Sequence, residues 1–169
     1  MDIFKRLFEN DQWGQNMENL LRSFIIAAIH SHLTLAELPY FFNDANFRRK
    51  VVEAIPDTLA DHYAKLFWKE EYEKAPQAIK ERWLTPVTNR TYQFLETERM
   101  IEIISQAKNT LDFSALMRER KIILLHLSES LLQKDAVRFL GTLFVSEIMR
   151  ASFARTPGKE PLFTYVIDE

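Results

Sequence analysis

The stretch "LFTYVIDE", Leu162 to Glu169, decides how this chain is read. An apolar run of Leu162, Phe163, Thr164, Tyr165, Val166 and Ile167 meets two adjacent carboxylates, Asp168 and Glu169. So short a run, rich in aromatic and β-branched residues, reads as a buried strand. A second run of the same kind lies upstream: "KIILLHL", Lys121–Leu127, apolar and without helical period. Between them come a polar break at Ser128–Ser130, a helical pattern from Leu131 to about Ala154, and a turn, Arg155-Thr156-Pro157-Gly158-Lys159. Strand, long helix and strand predict a right-handed parallel βαβ unit over residues 110–169.

Residues 1–109 read differently, as an all-helical domain with short connections. Met17, Leu20, Leu21, Phe24, Ile25, Ala28 and Ile29 recur at the spacing of one helix face. Asp11 marks its N-cap region, and Ile3–Phe8 suggests a short helical start. Thr34-Leu35-Ala36-Glu37 is a capping-box pattern, opening a helix that Pro39 disturbs. Asn43-Asp44 restarts a helix that ends before Pro56. Asp57 is expected to cap the next, with Leu59, His62, Tyr63, Leu66 and Phe67 on one face. Pro76 suits a helix start, Pro86 is expected to kink or split that helix, and Met100, Ile101, Ile103 and Ile104 suit one more. The fold class expected is therefore mainly α, a helical bundle followed by a βαβ piece.

Composition narrows the function classes. The chain has 169 residues, 47% of them hydrophobic, with thirteen Phe and three Trp, enough for a real core and against disorder. A net charge of −2 advertises neither a global nucleic-acid field nor an acidic solvating tail. With no Cys, disulfides and thiolate metal sites are excluded. Runs such as Phe24–Ile29 are too short to span a bilayer, and "MDIFKRLFEN" has no signal-peptide core, so a soluble cytoplasmic domain is expected.

On its own, an acidic pair after an apolar run also suits a solvated chain end. Here its setting is specific. "MENLLRSFIIAAI", "TLAELPYFFNDANFRRKVV", "TPVTNRTYQFL", "TLDFSALMRERKIILLHLSES", "GTLFVSEIMRAS" and "FTYVIDE", in that order, resemble the HerA/FtsK superfamily of P-loop ATPases. The similarity is to type IV secretion coupling proteins of the TraG/TraD kind and to HerA-like helicase central regions. It covers almost the whole chain and is most specific at "KIILLHLS" and "VIDE".

The resemblance implies a RecA-like sheet ending at Walker B. Asp168 would hold Mg²⁺ through water, and Glu169 would orient or deprotonate the attacking water. It further implies ATP and Mg as cofactors of a complete DNA-translocating motor, usually a hexameric ring. The partners would be the remaining ATPase core, neighbouring subunits, DNA, and DNA-processing or secretion proteins docking on the helical part. A Walker A loop, Gly-x-x-x-x-Gly-Lys-Ser/Thr, is missing, since the only glycines are Gly14, Gly141 and Gly158. The expectation is thus an internal segment of such a motor that hydrolyses no ATP alone. The rival is a stand-alone, non-enzymatic helical module that binds a protein partner.

Other residue types carry less. His30 and His32 are two apart and do not share a helix face, and His62 and His126 also read as structural. Arg48-Arg49-Lys50 suits either DNA phosphates or a solvated helix face, the latter favoured. Arg118, Arg120 and Lys121 around Glu119 read as surface charge, and Asn89-Arg90 has no residue-level match to a subunit-bridging arginine. Phe67, Trp68 and Tyr72 read as core or interface aromatics.

Overall fold

The computed structural model describes residues 14–59, 61–156 and 158–168, with residues 90, 93 and 94 described by backbone alone. Asp11, the Ile3–Phe8 start and Glu169 lie outside the described residues. Two compact units divide the chain, Met1–Ala107 and Lys108–Glu169.

The first unit is helical. α1 spans Gln15–His30 and buries Met17, Leu20, Leu21, Phe24, Ala27 and Ala28. Ile25 is partly buried against the same core, while Ile29 is exposed. The chain leaves α1 through a left-handed His32, with Leu33 N–H donating to Ala28 O and His32 N–H to Ile29 O. These are the two bonds of a Schellman cap.

The capping box forms: Thr34 N–H donates to Glu37 Oε2 at 2.6 Å and Ala36 N–H to Thr34 Oγ1 at 3.2 Å. It opens a single 3₁₀ turn, Leu35–Glu37, that runs into α2, Leu38–Asn43, with Pro39 in the first turn. α3, Ala45–Glu53, is capped by Asp44, whose Oδ1 accepts from Asn46 and Phe47 N–H. Those two backbone donors hold the Asp44 carboxyl below its ordinary value of 3.8. Because the folded value is the lower one, this cap is complete above the unfolded value and is lost as pH falls through the folded value. Asp44→Asn should therefore flatten the acid limb of a stability–pH curve while changing neutral stability little. An unaltered acid limb would show that the cap does not contribute.

Asp57 does not cap the next helix. It pairs with Lys65 at 2.8 Å, and Lys65 also donates to Ile55 O. α4, His62–Leu66, begins beyond Asp61, and Leu59 and Tyr63 face outward. Phe67 is buried as expected, and Ala64 and Trp68 turn inward beside it. A wider π turn, Phe67–Tyr72, follows directly and places Phe67, Trp68 and Tyr72 inside together. Trp68 meets Phe41, Phe67 and Tyr72 edge-on at 4.8, 5.1 and 5.0 Å, and its indole N–H finds no polar acceptor.

Pro86 does not split its helix, because α5 runs from Gln77 to Leu95. Pro86 and Arg82 are both exposed, so the carbonyl that loses its donor faces water. α6, Glu98–Ile104, is capped by Thr97 and buries Met100. The core gathers α1, α2, α3, the π turn and α5 around Leu20, Phe24, Phe41, Trp68 and Val87.

The second unit corrects the expected βαβ piece of a RecA-like sheet. Its described residues contain α7 (Phe113–Arg118), α8 (Glu129–Leu132) and α9 (Lys134–Phe153), and no strand. Residues 121–127 and 161–168 carry no regular secondary structure and form no strand pairing among the described residues. Aromatic and β-branched residues favour an extended backbone, yet a parallel sheet needs apolar layers on both faces. Here the helices cover one face: Ile123 and Phe163 pack with Phe113, Met117, Phe144, Ile148 and Ala151. The helix expected from Leu131 to Ala154 is broken at Gln133, whose φ of 63° turns the chain between α8 and α9.

Candidate functional site

The two apolar stretches of the second unit are each launched by a local device. α7 is capped by Asp112, which accepts from Ala115 N–H at 3.0 Å. It ends in a Schellman cap with Arg120 in the left-handed position at φ 56°: Lys121 N–H donates to Leu116 O and Arg120 N–H to Met117 O. Lys121–Leu127 follow that turn without regular secondary structure. On the other side, Gly158 at φ 75° completes a turn closed by Lys159 N–H to Thr156 O. Arg155 then clasps Glu160 at 3.1 Å and donates to Pro161 O, which starts the second stretch. The Arg155 guanidinium, with Thr156 N–H, holds the Glu160 carboxyl below its ordinary value.

Neither stretch alternates strictly, since residues 124–126 and 164–168 are all exposed. Ile123, Leu127 and Phe163 turn inward, and Leu127 approaches α9 beside Gly141. The outward side chains are also apolar: Ile122 and Leu124 are each 89% exposed, Leu162 94%, Val166 80% and Ile167 71%. No backbone group of residues 122–127 or 162–168 forms a hydrogen bond among the described residues. Between the stretches lies an open cavity of about 490 Å³, lined by Arg120, Lys121, Ile122, Ile123, Pro161, Leu162, Phe163 and Thr164. Its cationic corner is Arg120 and Lys121, and Lys121 also lies 3.8 Å from Glu119. Unpaired backbone, apolar side chains on both faces and a cavity together can hold an extended polypeptide.

The sequence-predicted metal and catalytic positions fare differently. Asp168 is exposed at the end of the second stretch, and Glu169 lies outside the described residues. Among the described residues no three His, Asp or Glu side chains gather to hold a metal ion. The cavity contributes two cations and no carboxylate. This donor set does not by itself fit a Mg–nucleotide site, and no chemical step follows from it.

The basic cluster is divided. Arg48 is buried and bonded to Glu73 and to two carbonyls of α2, while Arg49 and Lys50 are exposed. Arg48 thus serves neither of the roles expected for the cluster. His30 pairs with Asp61 at 3.1 Å, and the His62 ring stands edge-on to Tyr63. His126 is exposed on the first stretch, and the side chain of Arg90 lies outside those described. Phe67, Trp68 and Tyr72 are core. Sequence reasoning missed α7, although Asp112 followed by Phe113 and Met117 four apart was a legible cap and stripe.

Among the described residues no helix is long and apolar enough to cross a membrane. No protein-family model matches the chain, and no curated protein or solved structure matches it either.

Proposed function

We propose that the chain is a non-enzymatic, protein-docking helical module whose second unit is completed by an extended segment of another polypeptide. The observation that carries this reading is the bare outward row Ile122, Leu124, Leu162, Val166 and Ile167 beside unpaired backbone. Burying five such side chains contributes on the order of 10 kcal/mol before ordering costs. Unpaired N–H and C=O groups select an extended main chain, because a helix has already used its own.

A second reading rests on the order of residues that resembles HerA/FtsK motors and on the apolar stretch leading into Asp168 and Glu169. In it the chain is one component of an ATP-driven DNA-translocating assembly related to conjugative transfer and type IV secretion. ATP and Mg belong to the complete assembly there, with Asp168 on the Mg side and Glu169 on the attacking water. The helical unit then docks substrate or partner proteins.

Both readings expect no phosphate release from Mg–ATP by the purified chain, with or without DNA. Nothing in the sequence supplies the Gly-x-x-x-x-Gly-Lys-Ser/Thr loop that organises the β- and γ-phosphates. Saturable hydrolysis that disappears in Asp168→Asn would sink the non-enzymatic reading. Hydrogen exchange tests the docking surface directly: amides of 122–127 and 162–168 should exchange fast in the dilute chain and slow on binding. Full protection in the dilute monomer would refute it.

A further inference from the structure

We infer that the extended polypeptide seated between the two stretches is residues 162–168 of a second copy of this chain. The inference rests on the docking reading and names its occupant. Three observations on the second unit point to it.

Chemically, the chain already contains the strand its own surface asks for. Residues 162–168 carry no regular secondary structure, expose Leu162, Val166 and Ile167, and have no hydrogen-bonded backbone among the described residues. A strand with both edges free pairs most readily with another of the same kind.

In charge, the same segment ends in Asp168, whereas the cavity's cationic corner is Arg120 and Lys121. Arg120 makes no ion pair among the described residues, and the contact of Lys121 with Glu119 is long and exposed.

Register then joins these two facts. Antiparallel pairing of two copies about a two-fold axis at Tyr165 sets residue 162 opposite residue 168 of the other copy, and 164 opposite 166. The cavity is lined by residues 161–164 and by Arg120 and Lys121. Residues 166–168 of the second copy therefore enter it, and the Asp168 side-chain carboxylate meets Arg120 and Lys121. By symmetry the reverse contact forms as well, so the interface closes as a dimer and leaves no further end to propagate. Parallel pairing would instead bring the two Asp168 side chains together and leave both cationic corners empty.

The absence of cysteine makes the test clean. In Tyr165→Cys the two thiols face each other across the axis, and mild oxidation should give a disulfide-linked dimer of the full chain. Leu59→Cys, at an exposed position in the first unit, should give little. Sedimentation over a concentration series should show a monomer–dimer equilibrium in the unmodified chain. Arg120→Glu and Asp168→Arg should each weaken it about tenfold, and the double variant should restore it. Circular dichroism confirms that each variant is folded. A chain that remains monomeric at high concentration overturns the inference, as does open-ended aggregation or a dimer indifferent to both charge reversals. A monomer whose residues 122–127 become protected by an unrelated extended apolar peptide would refute self-pairing while leaving the docking reading intact.

Discussion

Phe24→Ala is expected to lower the stability of the first unit by roughly 3–5 kcal/mol, among the largest effects any single substitution here should have. Phe24 is 0% exposed and stands where α1 meets α2. Its ring lies 5.1 Å from Phe41, edge-on, and 5.9 Å from Phe42, and Phe41 in turn meets Trp68 at 4.8 Å. Truncation removes the transfer free energy of the ring and leaves a hole that three rigid neighbours cannot close. Ala27 and Ala28 on the same face are too short to fill it. Urea titration followed by tryptophan fluorescence reads the loss, because Trp68 reports on this cluster. In a unit of this size the melting point should fall by on the order of 15 °C. An unchanged midpoint would mean that α1 is not seated on this core. Ile29→Ala on the same helix, being exposed, should change little, which separates loss of packing from loss of helix propensity.

That contrast also shows how far periodicity reads. On α1 the stripe from Met17 to Ala28 was legible because one helix face meets one core, and the period of the pattern is the period of the structure. Its edge was not. Ile29 continues the apolar spacing, yet the Schellman cap at His32 turns the chain away before that position reaches the core. The Thr34–Glu37 box and the Asp44 cap were legible because capping is local chemistry. Residues 57–72 misled for the opposite reason. The phase of an apolar stripe depends on where the core lies rather than on local chemistry: the helix opens only at His62, Leu59 and Tyr63 point to solvent, and Ala64, Phe67 and Trp68, at i, i+3 and i+4, go in.

The second unit divides between what the chain can dictate and what it needs from elsewhere. The β-branched and aromatic residues of 121–127 and 162–167 favour a strand locally, yet neither segment forms one. Pairing was not visible, because a ladder depends on a neighbour rather than on the strand itself. Apolar residues on both faces suit a sheet inside two helical layers. The described helices supply one layer, so the same pattern becomes exposed surface. The carboxylates read as a magnesium and water site depended on that sheet for their placement, and Asp168 stands alone without it.

Arg48→Ala should cost about 3 kcal/mol, for reasons that set Arg48 apart from the basic residues beside it. The guanidinium is 8% exposed, and its Nη1 donates to Phe41 O at 3.2 Å and Phe42 O at 3.0 Å. Both carbonyls belong to the last turn of α2, where no intrahelical donor remains for them. Nε and Nη2 donate to Glu73 at 3.2 Å, and the guanidinium carbon sits 4.9 Å over the Tyr72 ring. Glu73 is 41% exposed, so its charge stays solvated when Arg48 is removed, and the ion pair contributes less than about 1 kcal/mol. The two buried carbonyls have no such recourse and lose about 1–1.5 kcal/mol each. The cation–π contact adds about 0.5–1 kcal/mol. Glu73→Gln should therefore be mild where Arg48→Ala is severe. Arg48→Lys should recover little, since one ammonium cannot reproduce a planar fork reaching two carbonyls and a carboxylate. Tyrosine titration gives a second readout. Burial pushes the Tyr72 phenol up while the charge of Arg48 opposes it, so Arg48→Ala should raise that value further. Equal losses from Glu73→Gln and Arg48→Ala would assign the stability to the ion pair instead, and would return Arg48 to the exposed charge that its neighbours Arg49 and Lys50 carry.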